Sequence, residues 1–314
     1  MFETPEKNNH GDDIAGGDRS ASLDLVRLSP LMELTSGVPE IKIGLIDGPV
    51  AREHPALNAG SLKEISGTTT DSCSDVTSVA CTHGTFVAGV LSAKRSSTAP
   101  AICPGCTLLL RPIFPETGSP EAQVPSATPT ELAQAIFDVI EAGVRVINLS
   151  VALVEASGRR EAELGRALDY AARKRVIVVA AAGNQGTIGS SVITRHPWVT
   201  PVVAYDRLGQ LMPLSNLGSS IGRRGVGGPG EGVTSLRAAG GSLTLGGTSV
   251  ATAFVTGAGA LLWSCFPDAS AAEIKLAVSR ASLRRHSIVP PLLDAVSAYN
   301  SSLHTNSQSR FLRM

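Results

Sequence analysis

Between residues 41 and 205 the sequence alternates short apolar runs with helical segments, and this alternation constrains the fold more than any other feature. The apolar runs are rich in β-branched residues and end at polar or glycine positions, which predicts buried strands. These predicted strands cover residues 41–47, 107–113, 144–150, 175–184 and 198–205. Helices are predicted at 128–143, 158–174, 249–264, 270–282 and 291–299. The pattern indicates an α/β fold of three layers, a mostly parallel central sheet with helices on both faces.

The two ends of the chain lack this pattern. The opening stretch, "MFETPEKNNHGDDIAGGDRS", is polar, so residues 1–35 are predicted to form a flexible N-terminal arm. One domain is predicted at 36–300, followed by a flexible C-terminal tail at 301–314. Within the domain, the glycine-rich stretch "GGPGEG" (227–232) follows no strong strand and is predicted to be a loop.

Composition and charge argue against several kinds of partner. Lys+Arg and Asp+Glu both number 27, the formal net charge is zero and only 4% of residues are aromatic, so we expect no nucleic-acid partner. The N-terminal stretch lacks the basic and apolar regions of a secretory signal. The longest apolar run, from Val250 to Trp263, is short for a bilayer, so we expect no membrane association and a cytoplasmic location.

The cysteines do not predict a metal site. They are Cys73, Cys81, Cys103, Cys106 and Cys265, and an odd number argues against a full disulfide framework. The motif "CPGC" (103–106) has zinc-knuckle or redox spacing, but Cys73 and Cys81 are poorly spaced to complete a zinc site. We therefore expect no metal and no cofactor; incidental thiols or a local disulfide are the favoured interpretations.

Polar residues end three of the predicted strands. Asp47, Ser150 and Asn184 each follow a largely apolar run. Because ligands of open parallel sheets bind outside the carboxyl ends of the strands, these three positions predict a functional site.

Two further polar residues precede helices of small side chains. His83 lies in "CTHGTFVAGVLSA" (81–93), and Ser249 lies in "LTLGGTSVATAFVTGAGALLW" (243–263). Taken alone, Ser249 or Thr248 fits a helix N-cap, and a single histidine is usually structural. If the two helices begin side by side, however, imidazole and hydroxyl meet. Asp47 then orients the imidazole, as nucleophilic serine chemistry requires.

Four motifs, in their order along the chain, resemble those of the subtilisin-like serine peptidases. They are "IGLIDG", "HGTFVAGV", "AAAGNQG" and "GGTSVATAFVTGAGALL", and the resemblance runs from about residue 40 to 285. It implies a three-layer subtilisin-like fold and hydrolysis of a peptide substrate through an acyl-enzyme. The implied catalytic residues are Asp47, His83 and Ser249, with Asn184 and the Ser249 backbone N–H as oxyanion donors. The implied substrate-binding residues are Ser150, Val151 and Ala152 along an edge, and Ala181, Ala182 and Gly183 beside the first pocket.

A narrower resemblance rests on "LIDGPV", "HPWVTPVV" and "SNLGSSIGRRG". These are similar to bacterial subtilases of cyanobactin and related ribosomal peptide pathways, which cut leader peptides from precursors. In most subtilisins a hydroxyl residue follows the catalytic aspartate, whereas this chain has Gly48 and Pro49 there. The family also usually has proline four residues after the nucleophile, where this chain has Ala253.

Two other functions remain open. A peptide ligase or macrocyclase would use the same acyl-enzyme with an amine acceptor, and Ala253 is the residue that suggests it. A catalytically silent module would only hold a peptide along residues 150–152. The retention of all four polar residues argues against the silent module.

Overall fold

The computed structural model describes residues 14–67, 72–116, 127–151, 159–279 and 287–311. The helices are α1 (Ile14–Leu25), α2 (Ser29–Leu34), α3 (Val79–Ser92), α4 (Pro129–Glu141), α5 (Arg159–Arg173), α6 (Val192–Arg195), α7 (Ser219–Arg224), α8 (Thr248–Cys265), α9 (Ala271–Ser279) and α10 (Ala295–Phe311). The strands are β1 (Lys42–Asp47), β2 (Leu62–Glu64), β3 (Thr107–Pro112), β4 (Val146–Leu149), β5 (Ile177–Ala181), β6 (Val199–Tyr205), β7 (Val226–Pro229), β8 (Val233–Leu236) and β9 (Ser242–Leu245).

Seven strands of the described chain form one sheet in the order β2-β3-β1-β4-β5-β6-β7, and every neighbouring pair is parallel. Strands β8 and β9 form a separate antiparallel hairpin. Because successive side chains of a strand point to opposite faces, Ile43 and Leu45 join one apolar core and Ile46 joins the other. Helices therefore cover both faces, and the predicted three-layer α/β fold is confirmed.

The two faces of the sheet carry different helices. Helix α8 is buried from Thr248 to Trp263 and packs on β4 through β7 with α3 beside it. By length and composition α8 is long enough to cross a membrane, but its burial is that of a core helix in a globular protein. Helices α4 and α5 cover the opposite face, and α4 begins with the capping box of Thr128 and Glu131 that its sequence indicates.

Strands β2 and β7, both absent from the prediction, lie at the two edges of the sheet. Strand β7 includes the start of "GGPGEG", so the predicted loop at 227–232 is wrong for residues 227–229. Glycine suits this position because a Cβ on Gly228 would lie 2.7 Å from the Ala251 carbonyl oxygen. Burial beneath α8, and not strand propensity, makes this segment a strand.

The structure places helices in both segments that the sequence assigned to flexible ends. The second part of the supposed arm, 1–35, forms α1 and α2, which bury Leu23, Leu28 and Leu31 in the main core. The supposed tail 301–314 continues α10 as far as Phe311, and Ser302 is buried. The domain therefore extends at both ends beyond 36–300.

Candidate active site

The carboxyl ends of β1, β4 and β5 meet at one edge of the sheet, as predicted. The parallel register aligns Ile46 with Leu149, and Leu149 with Ala180. The ladder continues past β4, where the Ser150 N–H donates to the Ile46 carbonyl at 3.5 Å. Asp47 and Ser150 therefore lie side by side at this edge, and the segment with Asn184 follows the next strand.

Asp47 and His83 form a buried pair. His83 Nδ1 lies 2.6 Å from Asp47 Oδ1, and the two residues are 6% and 0% exposed. Burial alone would lower the pKa of His83, but the charge of Asp47 and its hydrogen bond outweigh this effect and raise it above its ordinary value. With Nδ1–H donating to the carboxylate, the neutral ring presents Nε2 as a base.

His83 does not lie at the start of its helix, which corrects the prediction. Helix α3 begins at Val79, and Ser78 caps it by accepting the Cys81 N–H. His83 is thus the fifth helical residue, one turn inside the helix. It lies beyond the free N–H groups of the helix start, and its Nδ1 contacts the Asp47 carboxylate.

The Gly-Pro step after Asp47 has a physical explanation. Besides the His83 bond, Asp47 Oδ1 accepts the Gly48 N–H at 2.6 Å, whereas Asp47 Oδ2 has no hydrogen-bond partner among the described residues. A Cβ on Gly48 would lie only 2.0 Å from the Ala80 carbonyl oxygen, so a serine or threonine cannot occupy this backbone position. Close contact between this loop and α3 thus accounts for glycine at the position where most subtilisins have a hydroxyl residue.

Ser249 lies in the first turn of α8 and caps nothing. The N-cap is Gly247, with a φ of 115° and no side-chain cap. The Ser249 hydroxyl is buried and donates a long hydrogen bond of 3.4 Å to the Ser150 carbonyl. Because Ser150 lies beside Asp47 and α8 packs on α3, the hydroxyl lies at the same sheet edge as the Asp47–His83 pair.

The Asn184 side chain is oriented by Thr248, a residue to which the sequence assigned only a possible cap. The Thr248 N–H and hydroxyl donate to Asn184 Oδ1 at 2.9 and 2.8 Å, and the Gly183 N–H donates to the Thr248 hydroxyl. Since a backbone N–H can only donate, it identifies the oxygen of the carboxamide. Among the described residues Asn184 Nδ2 has no hydrogen-bond partner, so this donor is available to a ligand.

The six predicted substrate-binding residues fall into three groups. Ser150 is buried and presents its carbonyl to Ser249, while the Val151 side chain packs in the apolar core and leaves only its backbone for a substrate. Ala152 lies outside the described residues. Ala181, Ala182 and Gly183 end β5 and lead into Asn184, all three buried.

A disulfide joins Cys73 to Cys81, two residues before His83. Together with Glu116 these residues form a group whose potential metal-ligand atoms lie within 4.8 Å of one another. The two sulfurs are bonded to each other, so they are not thiolate ligands. Glu116 accepts the backbone N–H groups of Ser74 and Asp75, so it serves to fix the loop beside the disulfide.

The cysteines of "CPGC" lie elsewhere. Cys103 and Cys106 are buried free thiols that precede β3, at the opposite end of the strand from the Asp47 edge. A hydrogen bond to Cys106 and burial raise the pKa of Cys103. The pair therefore belongs to the core beneath the sheet and not to the site around Ser249.

Comparisons with known proteins agree with this arrangement. The subtilase family model matches residues 39–308. Subtilisin DY from Bacillus licheniformis is 29% identical over 240 residues, covering 75% of this chain and 81% of that protein. Several other subtilisins match over 58% of their own length.

Several solved structures show the same fold at 25% identity or more. A variant of the protease domain of PatA superimposes with a TM-score of 0.76 at 27% identity, covering 86% of this chain and 97% of that one. The prenylagaramide maturation protease PagA superimposes with a TM-score of 0.75 at 25% identity, covering 88% and 98%. These neighbours confirm the predicted resemblance to the peptide-maturation branch. The chain belongs to the subtilase family of serine peptidases.

Proposed function

We propose that this protein is a serine endopeptidase that cleaves peptide bonds through an acyl-enzyme, with Asp47, His83 and Ser249 as its catalytic residues. The observation that carries the proposal is the buried 2.6 Å hydrogen bond between His83 and Asp47 at the sheet edge where the Ser249 hydroxyl lies. A base held in one tautomer by a carboxylate is what a serine hydroxyl needs to become a nucleophile.

In the first step Ser249 Oγ attacks the carbonyl carbon of the substrate, and His83 Nε2 takes the hydroxyl proton. Asp47 stabilises the resulting imidazolium without taking the proton itself. For this proton transfer the Ser249 hydroxyl must turn from the Ser150 carbonyl toward the imidazole of His83. The 3.4 Å bond that it leaves is long and therefore weak.

The carbonyl oxygen becomes an oxyanion in the tetrahedral intermediate. Asn184 Nδ2 and the Ser249 backbone N–H are the donors that receive it. Thr248 holds the Asn184 oxygen, so the opposite end of the carboxamide is oriented before the reaction starts. Such preorganised donors are often the largest single contribution to acyl-transfer catalysis.

Collapse of the intermediate breaks the C–N bond, and His83 returns its proton to the leaving amine. Water then releases the acid from Ser249 in an endopeptidase, whereas an amine acceptor would form a new amide in a ligase. Ala253, buried in α8 one turn after Ser249, is the residue that suggests the ligase alternative. Proline at this position would remove a helix N–H and shift the first turn.

The proposed substrate is a ribosomal precursor peptide from which a leader is cut. Support comes from the maturation proteases among the structural neighbours, at 25–27% identity. A cytoplasmic location stays a prediction. The Cys73–Cys81 disulfide bears on it because such bonds are uncommon in the cytosol, and thiol trapping in cells would show whether the bridge is oxidised.

The test of the chemistry is intact-mass spectrometry after treatment with a fluorophosphonate, which needs no known substrate. A single adduct is expected on the wild type and none on Ser249→Ala, with greatly slowed labelling of His83→Ala. Absence of an adduct on folded wild-type protein would contradict the proposal and favour the silent peptide-binding module.

The test of the substrate is product analysis with precursor peptides encoded beside the gene. Mass spectrometry distinguishes a free acid, which supports an endopeptidase, from a cyclic or ligated amide, which lacks one water and supports a ligase. Ser249→Ala is the matched control. Ala253→Pro, incubated with an added amine, shows whether this residue affects partitioning between water and amine.

A further inference from the structure

The segment 182–187 carries Asn184 out from the end of β5 into a largely exposed loop. Loops of this kind move unless other parts of the molecule hold them. The side chain that contacts this loop on both sides of Asn184 is Asn216, which follows β6 in the motif "SNLG" (215–218).

Asn216 bonds the loop through its backbone and through both ends of its side chain. The Asn216 N–H donates to the Gly183 carbonyl at 3.0 Å. Its Oδ1 accepts the N–H groups of Gln185 and Thr187 at 3.1 and 3.0 Å, and also the Thr187 hydroxyl. Its Nδ2 donates to the Ala182 carbonyl at 3.2 Å and to Gln185 Oε1 at 2.7 Å.

These bonds use the full capacity of a carboxamide, which has two donor hydrogens and an oxygen acceptor. Two backbone N–H groups identify the oxygen, and a backbone carbonyl identifies the nitrogen, so the orientation is unambiguous. The bonded residues 183 and 185 are the immediate neighbours of Asn184. Rotation of the 182–187 backbone would break several bonds together.

We propose that Asn216 is a positioning residue for the oxyanion site, acting through Asn184; this inference rests on the proposed function. Thr248 fixes the Asn184 oxygen, and Asn216 fixes the backbone from which that side chain extends. An oxyanion donor must be held close to its productive position to be effective. The two constraints act together with the backbone bonds that join Gly186 and Thr187 to Leu214 and Leu217. Asn216 does not touch the reacting atoms.

The experiment is a double-mutant cycle read by fluorophosphonate labelling of Ser249. Asn216→Ala is made in the wild type and in Asn184→Ala, and the maximal labelling rate is measured separately from the half-saturating reagent concentration. Asn216→Asp is a nearly isosteric second variant, which keeps the acceptor and cannot donate to Ala182. Ser215→Ala is the matched control. Ser215 is the buried residue before Asn216, and its hydroxyl accepts a hydrogen bond from the Ala204 N–H but makes none to the 182–187 loop.

In the wild-type background Asn216→Ala is expected to lower the maximal labelling rate by roughly tenfold to a hundredfold, as for a misplaced catalytic group. Asn216→Asp is expected to lower it by at least about threefold. The half-saturating concentration stays unchanged. In the Asn184→Ala background the same substitutions change the rate by less than about twofold, because the group they position is gone.

Three outcomes would overturn the inference. Equal losses in both backgrounds would mean that Asn216 does not act through Asn184. An equal loss in Ser215→Ala would mean general destabilisation, which a thermal melt would also show. A wild type with no Ser249-dependent labelling would overturn the proposed function, and the role of Asn216 with it.

Discussion

The two halves of the site are held in place by different forces. In the base half, with Asp47 and His83, backbone lies directly against backbone: a Cβ on Gly84 would lie 2.3 Å from the Gly48 carbonyl oxygen. In the oxyanion half, Asn184 is held by hydrogen bonds from Thr248, and Asn216 holds its loop.

The two halves of the site should therefore be sensitive to different kinds of substitution. Packing against α3 sets the distance between the β1 loop and His83, so added volume disrupts the base half. Loss of a polar partner should disrupt the oxyanion half, because hydrogen bonds to neighbouring segments, and not close backbone packing, hold this loop. Substitutions in each half should therefore separate steric disruption from loss of a hydrogen bond.

The largest effect is expected from Asp47→Asn, which preserves shape and removes the charge. An amide can donate to His83 Nδ1 and so hold the ring in the wrong tautomer, which should lower the labelling rate by about 10⁴-fold. Rates are measured with the fluorophosphonate, and thermal unfolding serves as the control for folding. A loss of less than about tenfold would show that another group orients His83.

A smaller effect is expected from Asn184→Ala, which removes one oxyanion donor. The maximal rate should fall by about 10²- to 10³-fold with little change in substrate or reagent affinity. Steady-state kinetics on a cleaved peptide would separate kcat from KM. A change in KM alone would show that Asn184 binds the ground state and does not stabilise the oxyanion.

Gly84→Ala tests packing in the base half without changing a polar group. The new Cβ would lie 2.3 and 2.5 Å from the carbonyl oxygens of Gly48 and Pro49. The free energy of unfolding in urea should fall by about 1–3 kcal/mol, as for an overpacked core. Gly165→Ala in α5 is the matched control: no heavy atom lies within 4 Å of its new Cβ, so stability should rise by about 0.5–1 kcal/mol. Equal changes in the free energy of unfolding for the two variants would refute the idea that steric packing controls the base half.

The smallest effect is a shift of the pH profile. Because only neutral His83 accepts the serine proton, the labelling rate should fall as pH drops through the pKa of His83. Asp47 raises this pKa, so the midpoint should lie above the ordinary histidine value of 6.5. In Asp47→Asn it should move downward, because burial then acts without the opposing charge. A wild-type midpoint at or below 6.5 would contradict the ion pair's effect.

Much of the fold was predictable because the central strands are buried and mostly apolar. The predicted bounds of strands β1, β3, β4, β5 and β6 agree with the observed bounds to within three residues. The edge strands β2 and β7 were missed: β2 is three residues long, and β7 is glycine-rich. An edge strand with few side chains to pack has little alternation of apolar and polar residues in its sequence. It becomes a strand because it forms hydrogen bonds with the adjacent strand of the sheet.

The polar residues of the site divide in the same way. Asp47, Ser150 and Asn184 follow apolar runs, and His83 and Ser249 lie in small-residue helices, so local sequence alone singles them out. Thr248 and Asn216 carry no comparable local signal, although both lie inside quoted motifs. Their partners are 64 and 31 residues away in the sequence.

The α/β class, the family and the residue types that the chemistry needs can therefore be derived from the amino-acid sequence alone. Apolar periodicity and short motifs are local properties, and the order of the motifs along the chain is enough to identify the family. Three features become visible only in the tertiary structure. Gly48 is required to be glycine, and Thr248 and Asn216 hold Asn184 and its loop. Helices α1 and α10 pack on the domain. Each of these depends on a contact between distant segments, which exists only once the chain has folded.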